Sequence, residues 1–360
     1  MAHTASETGT PDRTAVRLGV DTVLRDFLDR KEQEAPGPEF GSLINGLRRL
    51  LSGGKRLRSH LCVAGWHVGG GHSDASVVIR VAAALELFQT FALVHDDVMD
   101  ASDIRRGHPS AHRALAAAYV TGGGPRGRAE AHGMSAAVLL GDLALVWSDE
   151  LLHTAGLEAD ALTRVLHVVD RMRGELVYGQ YLDLLSTGRL VGDVAAALEV
   201  VRYKTAKYTV ERPLHIGAAV VDAAPDVLEA CTAFALPLGE AFQLRDDLLG
   251  AFGVAAETGK PVGDDIREGK ATVLMALAVQ RASESDLRAL HRLVGHPHLA
   301  EDDLQRVRAV LEATGARSTV EEMIEARREA ALTALDQAPF PAAAARALGE
   351  IARIATVRRA

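Results

Sequence analysis

SVVIRVAAALELFQTFALVHDDVMD, residues 76–100, decides how this chain is read. For twenty residues nearly every side chain is apolar, and then three aspartates follow, Asp96, Asp97 and Asp100. The run is too long for an ordinary strand, and its Ala and Leu content favours helix over sheet. A helix apolar on most sides is a core helix. Its acidic end is then costly, because buried carboxylates need a compensating cation or partner. Two arginines, Arg105 and Arg106, stand just beyond it.

The same three- and four-residue spacing of apolar side chains returns along the chain. VRLGVDTVLRDFLDRKEQ (16–33), MSAAVLLGDLALVWSDELLHTAG (134–156), DALTRVLHVVDRMRGELVYGQYLDLL (160–185) and VLEACTAFALPLGEAFQLRDDLLGAFG (227–253) are all helical in pattern. No alternating strand runs joined by hairpin turns are evident. Gly and Pro cluster at 34–41, 69–72, 121–133 and 255–265, marking connections. The expected fold is all-α: a single large bundle of ten or more helices. Residues 1–16, rich in Thr, Ser, Gly and Pro, read as a disordered tail, and 17–360 as one domain.

Bulk properties narrow the function. Of 360 residues, 48% are hydrophobic, ample for a large core, and the net charge of −8 argues against nucleic-acid binding. Cys62 and Cys231 match no metal-ligand spacing and read as buried thiols in a reducing cytoplasm. The N-terminus has no apolar signal core, and the most apolar stretches are interrupted by Glu86 or Asp142, so no membrane span is expected.

The chemistry lies in recurring charge. Asp96 and Asp100 are one helical turn apart on a face that continues through Ala92, with Gln89 and Phe88 beside it, and Asp97 lies about 100° around. A second apolar helix ends in FQLRDD, with Asp246 and Asp247. Two carboxylate-tipped helices facing each other make a cavity with an acidic rim. Hard oxygen ligands of this kind suit Mg²⁺ bridged to phosphate oxygens. Cations accompany the acids. GGKRLRSH (53–60) sets Lys55, Arg56 and Arg58 after a flexible glycine turn. Lys204 and Thr205 interrupt an apolar helix, a costly place for a lysine without an anionic partner. Lys260 and Lys270 flank GKPVGDDIREGK (259–270). Each cation alone reads as a surface residue, but their arrangement around two acidic clusters points to pyrophosphate binding.

In their order and spacing, GGKRLR, DDVMDASDIRRG, YKTAKYT, GEAFQLRDD and GKPVGDDIREGK make the chain resemble the trans-type isoprenyl diphosphate synthases, or polyprenyl synthetases. The resemblance covers nearly all of 20–360. It implies helices around a deep central cavity (the isoprenoid synthase fold), commonly as a homodimer. It further implies condensation of isopentenyl diphosphate with an allylic diphosphate, using about two to three Mg²⁺ ions per site. By the same resemblance Asp96, Asp97, Asp100, Asp246 and Asp247 are metal ligands, and Lys55, Arg58, Gln89 and Arg106 bind isopentenyl diphosphate. Arg105, Lys204 and Lys260, with Lys270, belong to the allylic diphosphate, while Thr205 and Gln243 turn oxygen dipoles toward a cation.

Two positions depart from the family pattern. The second cluster reads DDLLG where the family has DDxxD, so Gly250 replaces a carboxylate; Asp246 and Asp247 remain, and Asp264 or Asp265 is expected to supply outer-shell charge. Ser59 stands where the family often has proline. Product length is expected to depend on residues below the first aspartates. Ala92 leaves room one turn down, Phe91 is large, and Phe88 lies about 12 Å below. Geranylgeranyl diphosphate (C20) is the expected product, with farnesyl diphosphate (C15) or a non-catalytic partner subunit as alternatives. A class I terpene cyclase fits poorly, since its second motif normally begins with Asn-Asp and Asn45 is the chain's one asparagine. A head-to-head condensation fits no better.

Overall fold

The computed structural model describes residues 13–72, 74–253, 263–296 and 298–356. Helices Arg13–Gln33 (α1), Phe40–Leu51 (α2), Leu57–Val68 (α3) and Ser76–Met99 (α4) come first. A two-stranded hairpin, Ile104–Arg105 (β1) with His108–Pro109 (β2), precedes Ala111–Thr121 (α5), Ala129–His153 (α6) and Ala159–Ser186 (α7). Val194–Val200 (α8) runs into a π-helical segment, Val201–Glu211, and then Arg212–Val220 (α9) and Pro225–Phe252 (α10). The remainder is Asp264–Glu268 (α11), Val273–Arg281 (α12), Glu284–Leu293 (α13), Glu301–Ala313 (α14), Ala316–Gln337 (α15) and Ala342–Thr356 (α16).

The fold is all-α, and among the described residues two departures from plain α-helix bear on the cavity. The first is the hairpin, whose tip residues Arg106 and Gly107 both have positive φ (54° and 77°). That is the two-residue turn whose twist matches paired strands, so Arg105 and Arg106 leave it in different directions. The second is the π segment. This segment turns Val201, Lys204, Thr205, Tyr208 and Thr209 to the cavity wall. It is clasped by two glycines. A β-carbon on Gly179 of α7 would lie 2.3 Å from the Lys204 nitrogen, and one on Gly239 of α10 would lie 2.5 Å from the Ala206 Cα. Only glycine permits both approaches.

The helices form by burying one face each. α1 does so through Val16, Val20, Leu24, Phe27 and Leu28, at helical spacing. Val16 is therefore core, and the helix starts at Arg13, so the tail expected over 1–16 is too long at its C-terminal end; residues 1–12 lie outside the described residues. Among the described residues α4 alone is long and apolar enough to cross a membrane. It is a core helix, with 61% of its most apolar window buried beneath α1, α3 and α6. α3 turns Cys62, Val63 and Trp66 to this core and Leu61, Ala64 and Val68 to another that it shares with α10 and α16. α10 divides likewise along its length. Cys231, Phe234 and Leu238 join that second core, while Leu244, Leu248 and Ala251 pack with α12 and α14. Where these cores meet, a cavity of about 640 Å³ opens between α4, α7, the π segment and α10.

Candidate active site

The first acidic cluster divides by direction. Asp96 lines the cavity and takes a hydrogen bond from Lys204 Nζ at 2.9 Å and one from Arg105 Nη2 at 3.1 Å. Burial pushes Asp96 up, but the charges of Lys204, Lys270 and Arg105 hold it well below the usual carboxylate range. Asp97 is fully buried and is not part of the cavity wall. Its Oδ1 accepts from Arg105 Nε at 2.8 Å and also from Nη2. Asp97 thus holds the hairpin arginine against α4. Asp100, just past the end of α4, pairs with Lys270 Nζ at 3.0 Å and also stays off the wall. Burial raises its pKa, with Asp96 and Glu268 adding to the effect against Lys270.

The second cluster faces it from α10. Asp246 lines the cavity, and Asp247, only 6% exposed, lies deeper. Burial lifts Asp247 to about 8, helped by Asp265 and Asp246 and opposed by a hydrogen bond from Gln243. That bond is one link of a chain: Thr205 Oγ1 donates to Gln243 Oε1 at 2.7 Å, and Gln243 Nε2 donates to Asp247 Oδ1 at 2.7 Å. Thr205 and Gln243 therefore meet at the centre of the wall. The space beside Gly250 is filled by Asp265 of α11, whose Oδ2 would lie 1.9 Å from a β-carbon there. Asp264 and Asp265 line the cavity with Asp246 and Asp247, so this second wall carries four carboxylates in spite of Gly250.

Lys204 reaches from the π segment to Asp96 and to Asp183 of α7, at 2.9 and 2.5 Å. Burial lowers its pKa, but these two carboxylates outweigh burial and raise it, so the ammonium is held charged. Lys270 is likewise kept charged against burial by Asp265, Asp100 and Glu268. Glu268 also accepts from Ser102 Oγ at 2.7 Å, which ties α11 to the loop after α4.

A basic corner closes the other end of the cavity. Lys55 and Arg58, at the start of α3, and Arg106, at the hairpin tip, all line it, as does Gln89 of α4. Arg58 stacks 4.2 Å from the centre of the Tyr208 ring and donates to Thr209 Oγ1 at 2.5 Å. The Tyr208 hydroxyl donates to Gln89 Oε1 at 2.6 Å. Burial lowers Arg106, with Glu86 opposing.

Of the expected length-determining residues, Ala92 lines the cavity with Leu176 of α7, and Phe88 and Phe91 do not. Phe88 packs against Phe91 and Tyr208 beneath Arg173, and Phe91 stacks on His95, which bonds α6. Phe91 thus lies about 100° off the face of Ala92 and Asp96, while Phe88, one turn below Ala92, is buried in the core. Lys260 lies outside the described residues. Asp183, Gln180, Tyr208 and Glu86 were not read from sequence as site residues. A Gln and an Asp three apart in the apolar run GQYLDLL were the available sign of the first two.

Known proteins match this architecture. The family model described as Polyprenyl synthetase fits residues 43–311. The chain belongs to that family. A crystal structure of geranylgeranyl pyrophosphate synthase from Corynebacterium glutamicum, complexed with isoprenyl diphosphate and magnesium, superposes with a TM-score of 0.93. It is 39% identical, over 97% of this chain and 100% of that one. A geranylfarnesyl diphosphate synthase of Aeropyrum pernix is 29% identical, over 89% of this chain and 92% of its own length. A geranylgeranyl diphosphate synthase of Saccharolobus solfataricus is 31% identical, over 73% and 74%. This polyprenyl synthetase is thus an enzyme of isoprenoid biosynthesis that transfers prenyl groups, on the isoprenoid synthase fold.

Proposed function

We propose that this polyprenyl synthetase joins isopentenyl diphosphate to an allylic diphosphate and that geranylgeranyl diphosphate is its main product. One observation carries the reading: a single cavity has acidic walls at Asp96 and Asp246 and a separate basic corner at Lys55, Arg58 and Arg106. Two diphosphates need two such sites.

The carboxylates fit a hard cation. Among the described residues no His, Cys, Asp or Glu side chains converge into a ready-made metal cage. Carboxylates on opposite walls, with room for phosphate and water between them, are what Mg²⁺ requires. Asp96 and Asp246, which line the cavity, would hold it, with Asp97 and Asp100 beside the first and Asp247 and Asp265 beside the second. When bound, Mg²⁺ supplies positive charge to the oxygens of the departing pyrophosphate. Lys204 and Arg105 hold the allylic diphosphate and stabilise the same growing charge, with Lys270 completing that cation set. The allylic C–O bond breaks and its electron pair leaves with pyrophosphate. The double bond of isopentenyl diphosphate then forms the new C–C bond, and pyrophosphate takes the proton lost in restoring a double bond. Thr205 and Gln243 point oxygen dipoles at the transient cation, while Leu176 and Ala92 offer it an apolar, water-poor wall.

Product length rests on the small side chain of Ala92 and on the likeness to geranylgeranyl diphosphate synthases. For assembly we propose a homodimer. Met134, Val138, Leu139 and Val146 of α6 and Val177 and Tyr181 of α7 are exposed, an apolar area that a second copy would cover. The buried free thiols Cys62 and Cys231 fit a cytoplasmic protein. The test is to incubate the purified chain alone with Mg²⁺, isopentenyl diphosphate and allylic primers and to weigh the products. A C20 diphosphate supports the reading, a C15 product replaces it with farnesyl diphosphate synthesis, and no prenyl product favours a non-catalytic subunit.

A further inference from the structure

A fourth cation, Arg56, lines the same cavity beside the basic corner, and its guanidinium is tied to protein carboxylates. Arg56 precedes α3 in the left-handed region, at φ 50°, and is 6% exposed. A non-glycine residue holds that conformation only where its surroundings fix it. Its guanidinium is tied to three elements at once. Nε and Nη2 donate to Asp21 Oδ1 of α1 at 2.9 and 2.7 Å, and Nη1 donates to Glu86 Oε2 of α4 at 3.0 Å. Nη2 also donates to the Leu51 carbonyl at the end of α2. Glu86 is 8% exposed, and its other oxygen accepts from the fully buried Ser59 Oγ at 2.7 Å.

These contacts converge under the turn that carries Lys55 and starts the helix of Arg58. The turn is set deep by its glycines, Gly53 and Gly54, at φ 81° and 85°. A β-carbon on Gly54 would lie 3.2 Å from Arg106 Nη1, so the depth of the turn also sets where the Arg106 guanidinium rests. Four cations gathered in one corner repel each other, and Asp21 and Glu86 are the anions that let them stand together.

We propose that Arg56 and Glu86, steadied by Ser59, are positioning residues for the pocket of the non-allylic diphosphate: they fix the 53–58 turn so that Lys55 and Arg58 stand opposite Arg106. This rests on the reading of the basic corner as the isopentenyl diphosphate site. Four of the five Arg56 N–H groups donate to protein acceptors, so its guanidinium is anchored to the fold. The Ser59 hydroxyl does here what a proline in its place could not, by closing the second oxygen of Glu86.

The test compares Arg56→Lys and Ser59→Ala with wild type by KM for each substrate, kcat and Tm. Lysine keeps the charge but loses the fork, so KM for isopentenyl diphosphate should rise about tenfold while allylic KM and kcat stay within about twofold. Loss of the one hydroxyl should raise the same KM by about two- to fivefold. If Arg56→Lys does not fold, Ser59→Ala carries the comparison alone. A lower Tm with unchanged kinetic constants, or equal rises in both KM values, would overturn the proposal. Lys55→Ala and Arg106→Ala separate the two layers. If they raise allylic KM instead, the assignment of the corner is wrong and the proposal falls with it. If they raise KM for isopentenyl diphosphate while Arg56→Lys and Ser59→Ala do not, the positioning role alone is refuted.

Discussion

Asp265 holds a carboxylate oxygen 1.9 Å from where a β-carbon on Gly250 would stand. No side chain fits at 250 while Asp265 keeps that position, so the absent third acid of DDLLG and the inward Asp265 are one steric fact. Gly250→Asp should therefore damage the enzyme. It would crowd a buried wall and add a like charge beside Asp247, already raised to about 8. Turnover should fall at least about tenfold and Tm by about 5 °C or more. Gly250→Asp combined with Asp265→Gly should recover most of both. Calorimetry and product assays decide it, and a Gly250→Asp single variant as active and stable as wild type would refute the exchange.

Asp96 is the one residue of the first cluster that both lines the cavity and engages two cations. Asp96→Asn should lower kcat by about 10²–10³-fold, the range seen on removing a preorganised electrostatic partner. Lys204 keeps Asp183, so the fold should survive. Circular dichroism checks helix content beside the rate, and near-normal turnover would remove Asp96 from the reaction.

Product length should respond to the cavity face of α4 and not to its packing face. Ala92→Phe is expected to shift product toward C15. Phe88→Ala is expected to cost about 3–5 kcal/mol of stability, as large core truncations do, and to leave chain length unchanged. Mass spectra of the prenyl products separate these outcomes, and a longer product from Phe88→Ala would place the floor of the cavity at that ring.

Acid should destabilise the protein through its histidines. Burial lowers the pKa of His67, His112 and His215. His215 Nδ1 accepts from Arg212 at 3.0 Å, which leaves the ring proton on Nε2, facing the Leu228 carbonyl at 3.2 Å. Below about pH 6.5 the unfolded chain takes up protons that the folded rings refuse. Stability is then fully present above that pH and declines as pH falls toward the depressed folded values. His215→Gln should lessen the loss between pH 7 and pH 5, measured by urea unfolding. An unchanged slope would mean that His215 titrates normally.

The exposed apolar face of α6 and α7 should be covered in solution. Leu139→Glu, at a side chain 61% exposed, should shift sedimentation from dimer to monomer. An unaltered profile would place the interface elsewhere.

Much of this was legible in the sequence. Apolar spacing carried the helices, and the two acid-tipped runs with their neighbouring cations carried the idea of a two-diphosphate cavity. What spacing could not supply was rotation and partnership. DDVMD sets Asp97 about 100° from Asp96 but does not name its partner, Arg105 of the hairpin. Phe91 is adjacent to Ala92 in the chain and a third of a turn away in space. Asp265 and Gly250 are fifteen positions apart, and nothing local links them. The π segment was read as ordinary helix, because YKTAKYT satisfies either period over so few turns.

That π segment carries a last implication. Its wide turn is held open from outside, by bare backbone at Gly179 and Gly239. Lys204, Thr205 and Tyr208 therefore owe their alignment to two positions that possess no functional group. A survey that ranks residues by chemical capability would pass over both. Yet an added methyl at either would tilt the whole column of polar side chains at once, altering reactivity with every acid and base still in the chain.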